Sequence, residues 1–337
     1  MSKITMQDIA DALGISRVTV WKAFNNHTGV SPVLRQGILE KAKELGYARA
    51  GAEPSYYEKE KTVSLIVSRP DSSTFWTNII HRMAQELSSH NVNLLYTYMP
   101  SSYDDDFILP SVLTSGTIQG AVILNVYDER IIQLINELAL PKVFLDTVPG
   151  IGMEALRGDL ILLEGYHATY RITQWAIGRG IRRLGFIGDV HYAHTNLDRY
   201  QGFCKCMEDN HLEIKEGYCM TCSIHIDSYY QVLSGFLDSL AELPEAFICA
   251  SDYITHFLQI YFSEHRERIP KGILVTGFDG SLEYANVSGQ LTTADVRTDL
   301  LGKRLSMQII YRMEYADAPY ELIYINPDII YRDSVLY

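Results

Sequence analysis

The sequence predicts an α/β protein: a three-helix, helix-turn-helix head at the N-terminus, then a larger body of doubly wound parallel sheets. Three observations carry this. Charge is uneven: the net charge is −12, yet residues 1–50 hold seven Lys/Arg (Lys3, Arg17, Lys22, Arg35, Lys41, Lys43, Arg49) against four acids, leaving 22 basic against 37 acidic residues in the remainder. A basic head on an acidic body is the asymmetry expected when one end meets DNA. The first fifty residues carry three sets of helix start and stop signals. From Thr62 onward, apolar β-rich runs alternate with helix-length periodic segments, which calls for parallel sheets covered on both faces. At 337 residues the chain exceeds a domain of ~100–200 residues, so two or three compact units are expected.

Taken in order, Thr5 caps a helix running to about Leu13, with Asp8 three residues on to meet the free N–H groups. Ile9, Ala10 and Leu13 give it an apolar face, and Gly14 ends it. Ser16 caps a second helix, Arg17 to about Asn25. Ser31 caps a third with Pro32 at its first position, where a missing N–H costs nothing. It passes Ile38, Ala42 and Leu45 and stops at Gly46-Tyr47. In the second helix Val20, Ala23 and Phe24 share one side and pack inward. Arg17, Val18, Trp21 and Lys22 share the other. Two cations, a valine and a tryptophan suit a major groove, where Arg17 reaches guanine, Val18 presses a thymine methyl, and Lys22 reaches a base or phosphate.

In the body the expected strands are Val63–Val67, Leu94–Tyr98, Ala121–Leu124, Val143–Leu145, Leu160–Leu163, Leu184–Ile187, Ala246–Ala250 and Ile273–Phe278. This many strands implies two sheets. Expected helices between them include Phe75–His90, His167–Gly180 and Arg199–Asn210. The chain contains no Walker loop, no GxGxxG after a strand, no GxSxG elbow and no HExxH, so nothing supports catalysis. His191-x-x-His194 reads as a loop pair without a carboxylate at ligand spacing. Asp104-Asp105-Asp106 reads as helix N-terminal charge. Cys204-x-Cys206 and Cys219-x-x-Cys222 lack the second pair a zinc site needs. No metal and no cofactor are expected. The polar start Met1-Ser2-Lys3 and the lack of a ~20-residue apolar run lead to the expectation of a cytoplasmic protein without membrane association.

The run Ile4-Thr5-Met6-Gln7-Asp8-Ile9-Ala10, Gly14-Ile15-Ser16, Thr19-Val20, Asn25-Asn26, Val30-Ser31 and Lys43-Glu44-Leu45-Gly46-Tyr47 resembles the LacI/GalR headpiece almost position for position. The resemblance implies base contacts from Arg17, Val18 and Lys22, and backbone contacts from Thr5, Ser16, Thr19, Trp21 and Asn25. Trp21 stands where the family usually has a small serine. After Tyr47 the chain reads Ala48-Arg49-Ala50-Gly51-Ala52-Glu53-Pro54. That stretch lacks the leucine with which the family wedges the minor groove, and Gly51 and Pro54 oppose a stable hinge helix.

The body is similar to LacI/GalR cores, which are themselves periplasmic-binding-protein-like. The likeness rests on Gly120-Ala121-Val122-Ile123, the run Gly180–Gly188, Arg199-x-x-Gly202-Phe203, Val275-x-Gly277-Phe278-Asp279, Leu291-Thr292-Thr293, Leu301-Gly302 and Arg332-Asp333-Ser334. It implies two lobes joined by three crossovers, with the ligand in the cleft at the strand C-termini. The implied division is a headpiece 1–47, a linker 48–61 and a core 62–337, with an N-lobe at 62–161 plus 295–322 and a C-lobe at 164–292 plus 325–337. Arg199 and Asp279 fall where the family clamps a ligand's polar groups. Phe75 and Trp76 would wall the pocket, Ser251-Asp252 would follow a C-lobe strand at its edge, and Glu164-Gly165 replaces a common Asp-Asn pair. Asp279 and Asp252 could instead brace the following segment, and Trp76 could be plain core. The expected partners are a palindromic double-stranded DNA operator, a small-molecule effector of sugar type, and a second copy of the chain in a homodimer. The function implied is a transcriptional repressor; a solute-binding receptor or a ligand-sensing activator are the alternatives.

Overall fold

The computed structural model describes residues 4–24, 29–47, 61–68, 73–224 and 228–333, together with the backbone of 335–336. Contacts divide the chain into two units, 1–60 and 61–337. Of the expected linker 48–61, residues 48–60 lie outside the described residues, and Lys61 already belongs to the first strand of the second unit.

The first unit holds three helices, α1 (Met6–Leu13), α2 (Arg17–Phe24) and α3 (Pro32–Glu44). Thr5 and Asp8 form a reciprocal capping box at the start of α1, each side chain accepting from the other's backbone N–H. Gly14 at φ +63° ends the helix in the left-handed region, where a side chain would be strained. Ser31 caps α3 by accepting from Leu34 N–H, and Pro32 opens the helix. A small core of Ile9, Ala10, Val20, Ala23, Ile38 and Ala42 joins all three helices. Arg35 reaches from α3 to the Ala23 carbonyl at 3.0 Å and braces the end of α2.

The second unit contains two parallel sheets. The N-lobe sheet has the order β10-β5-β4-β3-β1-β2, with β1 Lys61–Val67, β2 Val92–Tyr98, β3 Gly120–Leu124, β4 Lys142–Leu145, β5 Asp159–Leu163 and β10 Leu322–Ile325. The C-lobe sheet has the order β12-β8-β7-β6, with β6 Leu184–Ile187, β7 Ala246–Cys249, β8 Ile273–Thr276 and β12 Val335–Leu336. Only β12 pairs antiparallel in these two sheets. Strands β1, β3, β4 and β5 are buried almost throughout, as continuous apolar runs must be when helices cover both faces. The covering helices are α4 (Thr74–Ser89), α5 (Glu129–Asn136), α6 (Tyr166–Gly178), α7 (His194–Asp209), α8 (Tyr229–Ser239), α9 (Asp252–Glu264) and α10 (Thr298–Glu314).

The chain passes between lobes three times: after β5 into α6, through β9 (Thr293–Asp295) into α10, and from β10 through β11 (Asp328–Ile330) to β12. Strands β9 and β11 pair antiparallel at the crossing. The N-lobe sheet thus keeps the chain to Ile325, past the expected boundary at 322.

Three expectations change. Helix α7 starts at His194, not Arg199, so Arg199 lies in the second turn. His194 opens that helix with Nε2 3.4 Å from Asp198 Oδ1, and so does have a carboxylate at i+4. Asp104–Asp106 do not charge a helix start; they form a turn in which Asp104 accepts from Asp106 N–H. Among the described residues no helix is long and apolar enough to cross a membrane.

Candidate functional site

In the first unit, α2 presents the face the spacing predicts. Val20 and Ala23 are buried; Arg17 is exposed, with Val18 at 60% and Trp21 at 43%. Lys22 is half-buried rather than fully exposed. Ser16 accepts from Thr19 N–H at 3.1 Å and bonds the Thr19 hydroxyl at 2.8 Å, so both hydroxyls sit at the start of α2. The Thr5 hydroxyl occupies the equivalent place on α1. A helix N-terminus with hydroxyls and a cation suits a phosphate, and the outer side of the same helix suits base edges. Asn25 lies outside the described residues.

In the second unit, the candidate cleft lies at the C-terminal ends of β3, β4 and β8. Three residues just beyond them adopt left-handed backbone: Asn125 at φ +52°, Asp146 at +66° and Asp279 at +103°. Such conformations cost about 1–3 kcal/mol and concentrate where a site is held in shape. Asn and Asp tolerate them better than other non-glycine residues.

Arg199 is the centre of the cleft. It projects from α7, is 5% exposed, and its guanidinium carbon lies over Phe278 at 3.6 Å from the ring centre. It donates to the Ala250 carbonyl, and its Nη1 is 3.8 Å from Asp279 Oδ1. Gly165 makes room for it, since a Cβ there would stand 2.8 Å from Arg199 Cγ. Asp252, the first residue of α9, accepts from Ser281 N–H at 2.7 Å and from the Thr293 hydroxyl at 2.9 Å. Gly277 is needed beside it, because a Cβ would overlap the Asp252 carboxylate. Burial, with Asp279 nearby, pushes Asp252 up to about 7; burial pushes Asp279 up to about 6, and Arg199 pulls both back down. Burial also raises Asp146 and Asp198, and Arg199 again opposes it. One permanent cation therefore serves four carboxylates.

Asp146 reaches across from the N-lobe, accepting from the Thr195 hydroxyl at 2.6 Å. Beside it His194 N–H donates to the Thr147 carbonyl at 2.7 Å. Tyr192 donates to Asn125 Oδ1 at 3.1 Å, and its ring lies 4.3 Å from Tyr127. Three buried polar atoms here have no hydrogen-bond partner: Arg199 Nε, His194 Nδ1 and Thr147 Oγ1. A buried polar atom left unpaired costs about 1–3 kcal/mol, so each of the three calls for a partner that the described residues do not supply.

Beside Asp252 and Asp279 opens a cavity of about 500 Å³, which Phe75 also lines. Trp76 stands apart, packing on the core and edge-on to Phe75, 5.1 Å between ring centres. The Ser251 hydroxyl is occupied in capping α9, and Glu164 caps α6 through His167 and Ala168 N–H. Arg199, Asp279, Asp252 and Phe75 are therefore brought together. Asn125, Tyr127, Asp146, Tyr192 and Thr195 were missed. Their signal was an Asn or Asp directly after an apolar strand, as in Leu124-Asn125 and Leu145-Asp146.

The two raised carboxylates give the core a pH dependence. Their folded-state values lie above the unfolded ones, so the stability they contribute is full below about pH 4 and lost as pH rises through 6 to 7. Asp252→Asn keeps an acceptor for Ser281 and Thr293. It is expected to flatten the loss of urea-unfolding free energy between pH 5 and 8; an unchanged slope would show that Asp252 is not its source.

The pattern for a periplasmic binding protein-like domain matches residues 174–335. An HTH-type transcriptional repressor, PurR, from Mannheimia succiniciproducens is 23% identical over 98% of both chains. Two solved structures share the fold. A complex of the transcriptional regulator CelR with cellobiose superposes with a TM-score of 0.69 at 20% identity, over 98% of this chain and 100% of that one. The lac repressor dimer bound to its operator and the anti-inducer ONPF gives 0.67 at 16% identity over the whole of both.

Proposed function

Because the chain belongs to the LacI/GalR family of transcriptional regulators, we propose that it is a repressor: a homodimer that binds a palindromic operator and is controlled by a small carbohydrate. The observation that carries this reading is the cleft centred on Arg199. Asp252 and Asp279 line one cavity with the apolar face of Phe75, and Arg199 stands against Asp279; carboxylates, a guanidinium and an aromatic face so placed suit the vicinal hydroxyls and the flat face of a sugar. The cellobiose complex of a structural neighbour supports the same ligand class.

A single three-helix head makes few contacts, whereas two heads on a two-fold operator double them and fix the half-site spacing. The test is selection of operator sequences from random duplexes with the full chain, followed by thermal-shift screening against mono- and disaccharides, nucleobases and pentose derivatives. An enriched palindrome and a stabilising sugar that alters operator affinity at fixed salt are expected. Failure to enrich any palindrome would sink the reading. Arg17→Ala should weaken binding to the selected operator by about 1–3 kcal/mol and relax one base position; a uniform loss across all sequences would instead make Arg17 a phosphate contact.

A further inference from the structure

We propose that Glu283 is a positioning residue of the cleft, a carboxylate of the C-lobe that clasps the N-terminus of N-lobe helix α4 and holds the two lobes closed. The start of α4 is where the chain lacks a local solution. Ser73 sits at the cap position with extended backbone, but its side chain makes no capping bond, and the first turn holds no acidic residue. The first N–H groups of a helix need acceptors, and the positive end of its dipole favours an anion.

Glu283, 209 positions later, supplies both: its Oε2 accepts from Thr74 N–H and from the Thr74 hydroxyl, each at 2.9 Å. The clasp is wired to the cleft. Asp252 accepts from Ser281 N–H at 2.7 Å, Ser281 Oγ accepts from Glu283 N–H at 3.2 Å, and Glu283 then takes the end of α4. Thr74 and Phe75 from one lobe, and Asp252, Asp279 and Glu283 from the other, line the same cavity of about 500 Å³. A molecule bonding Asp252 therefore acts on a loop that also determines whether the lobes stay together. The second joint, Asp146 with Thr195 and Thr147 with His194, lies elsewhere along the cleft and shares no residue with the clasp.

The separate joints allow a test that needs neither operator nor effector, so its result is independent of the operator selection above. Hydrogen exchange is followed by mass spectrometry in the full chain for the wild type, Glu283→Ala and Glu283→Gln. If Glu283 holds the lobes, Glu283→Ala speeds exchange by ~10-fold or more in the first turn of α4 and also at His194 and Thr195, whose amides bond across the cleft, because both report one opening motion. Glu283→Gln, which keeps an acceptor, restores much of the protection at both places. Acceleration confined to the first turn of α4 makes Glu283 a local cap and overturns the proposal, as does no acceleration at either place.

Discussion

Arg199→Ala is expected to abolish effector binding and to destabilise the core by about 3–5 kcal/mol, the cost of stranding buried charges whose partner is removed. The loss should depend on pH in a definite sense. Without the guanidinium, Asp252 and Asp279 rise beyond the values of about 7 and 6 they have beside it, so the folded state holds its protons more tightly than the unfolded chain. Stability falls as pH climbs through those values, so the variant is most damaged at pH 8 and partly recovers at pH 5.5. Thermal unfolding at the two pH values checks this. An equal deficit at both would mean that the loss is one of packing over Phe278 and not of charge.

Arg312→Ala should be as costly, again about 3–5 kcal/mol, but for a reason remote from the cleft. Arg312 on α10 is 1% exposed and pairs with Asp159, fully buried at the first position of β5, through Nε at 3.0 Å and through Nη2. It also donates to the carbonyls of Ala318 and Pro319. Asp159 in turn accepts from Gln308 and from the backbone of Glu321, so one ion pair ties α10, β5 and the approach to β10. Urea unfolding measures the loss. The double change Arg312→Met with Asp159→Leu should regain only part of it, because the Glu321 amide then loses its acceptor and Gln308 keeps only the Glu321 side chain. A full recovery would show that the pair contributes nothing beyond filling space.

Much of this arrangement is legible in the sequence because its causes are local. Caps at Thr5 and Ser31, the glycine stop at Gly14 and the spacing of Val20 and Ala23 each act within a turn or two. Short β-rich runs such as Val63–Val67, apolar but for Ser64, read as strands covered on both faces. What was not legible depends on distant pairs. The true start of α7 follows from the chain crossing the cleft, where His194 N–H meets the Thr147 carbonyl, 47 positions away in sequence. Arg199, expected at the start of a helix, lies in the second turn of α7, and its surroundings are set by the carboxylates that three other segments bring near it. Asp146 gave no periodic signal, because its contribution depends on a left-handed backbone and a threonine from the other lobe.

The three crossings between lobes have a consequence for how the protein is made. The N-lobe sheet needs β10 and the C-lobe sheet needs β12, and both strands come from residues 322–336. A growing chain on the ribosome therefore carries two open sheet edges until nearly all of it has been synthesised, whereas the three-helix head, whose contacts are all local, can fold long before. The small unit can close early, while the larger one waits for its final segment with β5 and β8 as open edges, the interval in which strand edges are most exposed to wrong pairing.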